Sequence, residues 1–120
     1  MPAEYAIDDE RGLLVCRASG VLTDADIITN LNKIMAETSG AAFYLPQLFV
    51  FEDSTSLNQL DCAALARVRD TAEAWVRRYP DRHPKTAFVA RDEFHAKFAR
   101  LWAGIASSSP TLSRQVKLFT

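Results

Sequence analysis

The chain is short and nearly neutral, with a composition ordinary for a globular protein. Its 120 residues, 48% of them hydrophobic, are enough for one domain with a single core and too few for a second. No apolar run approaches the ~20 residues of a membrane-spanning helix, and the first residues lack the basic and apolar segments of a signal peptide. We therefore expect one cytoplasmic domain over residues 1–120, without membrane association.

The cysteine count and the charge exclude further classes. Cys16 and Cys62 are too few for a disulfide framework, and His83 and His95 lie far from both, so we expect no metal and no cofactor. The net charge of −1 combines −6 over residues 1–60 (three basic, nine acidic) with +5 over residues 61–120 (eleven basic, six acidic). An interleaved fold would mix these halves, so nucleic acid is not an expected partner.

Two strands, residues 4–8 and 13–18, open the chain and predict an antiparallel hairpin. The second is apolar on both faces up to Arg17, which favours an interior strand with Cys16 buried. Thr23 follows as a predicted N-cap, and Ser39-Gly40 ends the helix. We predict that this helix buries Ile27, Ile28, Leu31, Ile34 and Met35, and exposes Asp24, Asn30, Asn32, Lys33 and Glu37.

Residues 47–51 follow Pro46 as a continuous apolar run, which predicts a central strand. A polar loop leads to a second helix that ends at Tyr79-Pro80. Its predicted core positions are Leu65, Val68, Ala72, Trp75, Val76 and Tyr79.

A fourth strand is predicted at residues 86–90 and a last one at 116–119. The third helix lies between them, and its predicted core stripe is Phe94, Phe98, Leu101, Trp102 and Ile105. His95 lies beside that stripe, which predicts a solvated surface residue. The order ββαβαβαβ predicts a single α/β domain with three main helices and a mixed, mostly parallel five-stranded sheet.

The chain is organised around residues 48–65, which run from a strand through a polar loop into a helix. We expect the functional surface here, because partners of open α/β sheets bind at the carboxyl ends of the strands. Together with the element order, three segments resemble STAS-type domains, of which the sporulation anti-sigma-factor antagonists are the best-known members. These segments are residues 17–23 (Arg-Ala-Ser-Gly-Val-Leu-Thr), 53–54 (Asp-Ser) and 60–65 (Leu-Asp-Cys-Ala-Ala-Leu). The resemblance covers nearly the whole chain.

The resemblance implies a phosphorylation-controlled regulatory module whose protein partner is a kinase or an anti-sigma-like protein. Asp53 and Asp61 match the acids of the family motif and Leu65 closes it, whereas Cys62 occupies the position of the phosphorylated serine. A thiol does not accept phosphate as a hydroxyl does, so the chain more closely resembles the divergent, SpoIIAA-like branch. Members often add a terminal amphipathic helix that this sequence lacks, and we expect a homodimer to cover the apolar surface.

Three functional hypotheses follow. The favoured one is a non-catalytic, partner-binding module whose predicted contact residues are Asp53, Ser54, Thr55, Ser56, Asn58, Asp61 and Cys62. The second is a carrier or sensor of a small apolar ligand, with a pocket at Trp75, Phe94, Phe98 and Trp102. The third is an enzyme that uses Glu52, Asp53 or Cys62, although the sequence carries no catalytic motif.

Each candidate residue also has a structural interpretation. Asp61 fits the N-cap of the second helix better than a catalytic acid, and Cys62 fits packing better than redox sensing. Glu52 and Asp53 fit strand-end capping better than a pair of acid/base groups. The arginines at 67, 77, 78 and 82 fit a solvated helix face better than an anion site.

Overall fold

The computed structural model describes residues 2–41, 45–52, 55–79, 86–89, 93–107 and 116–119. The predicted small α/β domain with a mixed sheet and three helices is confirmed. The strands are β1 (Ala3–Asp8), β2 (Leu13–Ala18), β3 (Gln47–Phe51), β4 (Thr86–Val89) and β5 (Val116–Phe119). The helices are α1 (Asp24–Thr38), α2 (Cys62–Arg78) and α3 (Glu93–Ser107).

The sheet is mixed, as predicted. β1 and β2 pair as an antiparallel hairpin, whose turn uses Gly12 at a φ of 64° and the Asp8 carboxylate, which accepts from the Arg11 amide at 3.1 Å. β2, β3 and β4 are parallel neighbours, and their register places Cys16 beside Phe49 and Phe49 beside Phe88. β5 pairs in parallel with β4 at the far edge.

The three helices lie on one face of the sheet. α1 contacts α2, α2 contacts α3, and all three line one cavity with Cys16, Phe49 and Phe88. This arrangement is expected when every crossover is right-handed and advances by one strand in the same direction. Within the described ranges, none of the helices is long and apolar enough to cross a membrane.

The opposite face of the sheet, which we name the open face, has no helix packed on it in the described part of the chain. Side chains alternate along a strand, so the residues between the cavity-lining positions point to this face. On β2, β3 and β4 they are half-buried apart from Val50, which is buried, and Arg17, which is exposed. The apolar members on β2, β3 and β4 are Leu13, Val15, Leu48, Val50, Ala87 and Val89.

The buried core on the helix side consists of two clusters. One lies at the carboxyl end of the sheet and includes Leu22, Phe51 and Leu65; the other includes Leu14, Cys16, Ile34, Met35, Ala72 and Val76. Phe49 and Trp102 pack against both clusters. Cys16 is 1% exposed, which confirms its predicted burial.

The ends of α1 are set by local chemistry. Thr23 and Asp26 form a capping box, in which the Asp26 amide donates to the Thr23 hydroxyl at 3.2 Å and the Thr23 amide donates to the Asp26 carboxylate at 3.0 Å. At the other end Ser39 is left-handed with a φ of 51° and Gly40 has a φ of 82°. A Cβ at Gly40 would collide with the Tyr79 ring, so both space and backbone angle require glycine there.

Three predictions of which side of a helix a residue faces are wrong. His95 is 1% exposed, and Leu101 is 41% exposed although it was assigned to the core stripe of α3. The buried stripe of α3 is therefore rotated and runs through His95, Phe98 and Ala99. Asn30 is 6% exposed and faces the core instead of water.

Candidate functional site

The loop between β3 and α2 is fastened to the end of β2. The Thr55 hydroxyl donates to the Ala18 carbonyl at 2.7 Å, and the Ser56 amide donates to the Gly20 carbonyl at 2.7 Å. The Ser56 carbonyl accepts from the Leu22 amide at 3.0 Å. Because these bonds join segments distant in sequence, the loop from Thr55 onward is held in one conformation.

α3 supports the same loop from the other side. His95 Nε2 lies 3.1 Å from the Thr55 carbonyl oxygen, and its ring packs on Phe51 with the centroids 4.8 Å apart. This contact explains why His95 is buried: the first turn of α3 lies over the carboxyl end of β3. The spacing of residues 95, 98, 99 and 102 is that of one helical face, which is the sequence signal for this burial.

A surface groove, which we name the loop groove, runs between the loop and α3. Its volume is about 520 Å³, and its lining is Thr55, Ser56, Leu57, Asn58, Leu60, Lys97, Phe98 and Leu101. Leu101 and the neighbouring Val21, which forms a parallel bridge with Ser56, are exposed by 41% and 55%. Among the described residues of the lining, Lys97 is the one that carries a charge.

Asp61 and Cys62 follow the groove at the start of α2. The Asp61 carboxylate accepts from the Ala64 amide at 2.8 Å, which confirms the predicted N-cap. Cys62 is the first residue of the helix, and its free thiol is exposed, so the interpretation of Cys62 as a packed side chain is wrong. Asp53 and Ser54, the other predicted partner contacts, lie outside the described residues.

The charged candidates are engaged with neighbours. Arg17 and Glu52 form an exposed pair at 3.3 Å. Arg67 donates to Asp24 at 2.6 Å, Arg77 donates to Glu73, and Arg78 lies over the Trp75 ring. Such pairs fit a solvated helix face, and Arg82 lies outside the described residues. No cluster of three His, Cys, Asp or Glu side chains able to hold a metal is found in the described ranges.

A second candidate site, which we name the core cavity, lies between the sheet and the three helices and has a volume of about 100 Å³. It separates the two core clusters. Most of its wall is apolar, and residues from all three helices contribute. The lining is Leu14, Cys16, Ile27, Asn30, Leu31, Ile34, Met35, Leu45, Gln47, Phe49, Leu65, Val68, Ala72, Thr86, Phe88, Phe98 and Trp102.

A few polar groups interrupt this wall. The Gln47 amide donates to the Cys16 sulfur at 3.4 Å, and burial raises the pKa of the Cys16 thiol while that bond acts in the opposite direction. Asn30 and Thr86 are 6% and 5% exposed. Neither side chain makes a hydrogen bond within the described part of the chain. Every fully occluded side-chain nitrogen or oxygen of the described residues has a hydrogen-bond partner. Because the polar atoms of Asn30 and Thr86 have none, they are not fully occluded and keep some accessible surface.

The structure brings together only part of the predicted aromatic pocket. Phe98 and Trp102 line the core cavity. Trp75 lies outside it, with its indole N–H donating to Asn32 at 2.9 Å. The side chain of Phe94 does not belong to the described part of the chain. Asn30 and Thr86 were missed because a single polar residue in a helix or strand carries no sign of its burial.

Fold and site thus define a two-layer α/β domain with a fixed loop at the carboxyl edge of its sheet and a cavity beneath its helices. The chain matches no family model, no curated protein and no solved structure. The resemblance to STAS-type domains therefore depends on the residues of this chain alone.

Proposed function

We propose that the protein is a non-catalytic regulatory module of the STAS type, with a five-stranded SpoIIAA-like sheet, and that it binds a protein partner at the loop groove. The observation that carries this proposal is the exposure of Leu101 and Val21 beside a loop held by hydrogen bonds on both sides. Exposed apolar side chains on a preorganised surface favour association, because little conformational freedom is lost on binding.

The lining of the loop groove indicates the chemistry of the partner. Its floor is apolar at Leu57, Leu60 and Leu101, and Lys97 supplies a positive charge beside the polar groups of Ser56 and Asn58. A segment that places an apolar side chain in the groove and an acidic side chain next to Lys97 would complement both features. A regulatory kinase or an anti-sigma-like protein would present such a segment under this proposal.

Partner capture from cells of the source organism, with the captured proteins identified by mass spectrometry, tests the proposal. Leu101→Lys should abolish capture of a protein that the unaltered chain retains, because it puts a charge on the apolar floor. Ala74→Lys, an exposed change on α2, is the control and should retain that protein. Equal capture by both variants, with circular dichroism showing both folded, would overturn the proposal.

The open face supports a homodimer as a second element of the proposal. An apolar sheet face without a helix loses its contact with water when a second copy packs on it. At the carboxyl ends of β2 and β3, this face carries Glu4, Arg17 and Glu52. Two copies related by a two-fold axis can therefore place opposite charges against each other.

Binding of a small, mainly apolar ligand is a second candidate function. The specific observation in its favour is the core cavity, which retains space between two otherwise packed clusters. Packed interiors contain few voids larger than a water molecule, so a cavity of about 100 Å³ with polar groups on its wall is a candidate binding site.

A further inference from the structure

We infer that the core cavity takes a small uncharged molecule with an apolar body and one hydroxyl or amide group, which bonds to Asn30 and Thr86. This inference rests on the second candidate function, ligand binding in the cavity, and adds the ligand class and the polar contacts. The juxtaposition that carries it is a pair of buried polar side chains on the wall of one apolar cavity, neither of which has a hydrogen-bond partner among the described residues.

Asn30 is a buried polar residue on the inner face of α1. Its side chain is in the middle of α1 and is 94% buried, since 6% of its surface is exposed. An amide removed from water without a hydrogen-bond partner destabilises a fold, and an apolar side chain of similar size would avoid that cost. Since no described residue bonds to this side chain, a molecule in the cavity, either water or a ligand, can supply its hydrogen bonds.

Thr86 is the second buried polar residue that lines the cavity. This residue begins β4, opposite Gln47 in the register of the sheet, and its side chain points to the cavity from the strand while Asn30 approaches from the helix. A hydroxyl and an amide can each donate and accept. We infer that the polar group of a ligand bonds to these two side chains while the rest of the ligand lies against Phe49, Phe98 and the other apolar walls.

Charge and size define the ligand class. None of the described residues that line the cavity is charged, so an ion there would lose its hydration without a counter-charge from them, and we infer a neutral ligand. The volume of about 100 Å³ is the space of about three water molecules in the liquid and is smaller than a 150 Å³ cavity that binds benzene. Short-chain alcohols and amides of about five non-hydrogen atoms match these limits.

Two probes of equal atom count test the inference: 1-butanol, which has the hydroxyl, and n-pentane, in which a methyl group replaces it. Each is titrated into the protein while backbone amide shifts are followed by NMR. Both probes should shift amides of residues around the cavity. In Asn30→Leu the affinity for 1-butanol relative to n-pentane should fall about fivefold, the size of one net hydrogen bond. Thr29→Leu, an exposed change on the same helix, should leave that ratio unchanged.

The outcomes distinguish a failure of the inferred ligand class from a failure of the proposed ligand binding in the core cavity. Shifts with both probes but an unchanged ratio in Asn30→Leu would overturn the polar contact and leave the cavity as an apolar binding site. No shift around the cavity with either probe would overturn both the ligand class and the ligand-binding function. An equal loss in Thr29→Leu would also overturn the inference, because that side chain does not line the cavity.

Discussion

Asp61 shows how one side chain sets the start of a helix next to the candidate site. Its carboxylate accepts from the Ala64 amide, one of the amide groups that a helix leaves unbonded at its start. We predict that Asp61→Ala lowers the free energy of unfolding by about 1 kcal/mol, measured by urea denaturation. Asp70→Ala, which removes an exposed aspartate paired with Arg69, should change it by less than about 0.5 kcal/mol. Equal effects would show that Asp61 does not act as a cap.

The contact between α1 and α2 includes an ion pair that gives the fold a pH dependence. Arg67 donates to Asp24, and this hydrogen bond is the main reason why the pKa of the Asp24 carboxyl is lowered and that of Arg67 is raised. A lowered folded pKa stabilises the protein above the unfolded pKa of about 3.9, and the stabilisation is lost as pH falls through the folded pKa.

Arg67→Gln tests this pair. The variant should be less stable than the unaltered protein at pH 7, and the difference in free energy of unfolding should shrink as the pH falls below about 4. Because the pair is exposed, the effect should be small and should weaken in high salt. Arg69→Gln, whose partner Asp70 follows it directly in the chain, is the matched control. A difference between Arg67→Gln and the unaltered protein that does not change with pH would contradict this account.

At the scale of the whole molecule, we propose the open face as the surface for self-association, because α1, α2 and α3 all lie on the other side of the sheet. We predict that the protein elutes as a dimer of twice 13.4 kDa in size-exclusion chromatography with light scattering. Leu48→Lys, on the central strand of that face, should give a monomer because the charge would be buried in the interface. Ala74→Lys should remain dimeric, and a monomeric unaltered protein would contradict the homodimer.

Residues with a strong local signal could be predicted from the sequence. Thr23 and Asp61 are caps in the structure because an N-cap needs only a side chain and the amides two or three positions later. The strands around Cys16 and Phe49 were predicted for a similar reason, since continuous apolar runs of strand length fit only the interior of a sheet.

Residues whose environment comes from distant segments could not be predicted. Asn30 and Leu101 were placed on the wrong faces because a helical period fixes the angles between side chains and leaves the rotation of the whole helix to its packing. His95 is buried because the loop at Thr55 and the ring of Phe51 meet it, forty residues or more away along the chain.

The sequence by itself determined the α/β class, the order of the elements, the capped helix starts and the burial of Cys16, because each depends on periodicity or on neighbours within one turn. Only the tertiary structure decided that the helices share one face, that α3 supports the loop through His95, and that Asn30 and Thr86 line the same cavity. These features depend on the rotation and relative placement of packed elements, which no local pattern specifies.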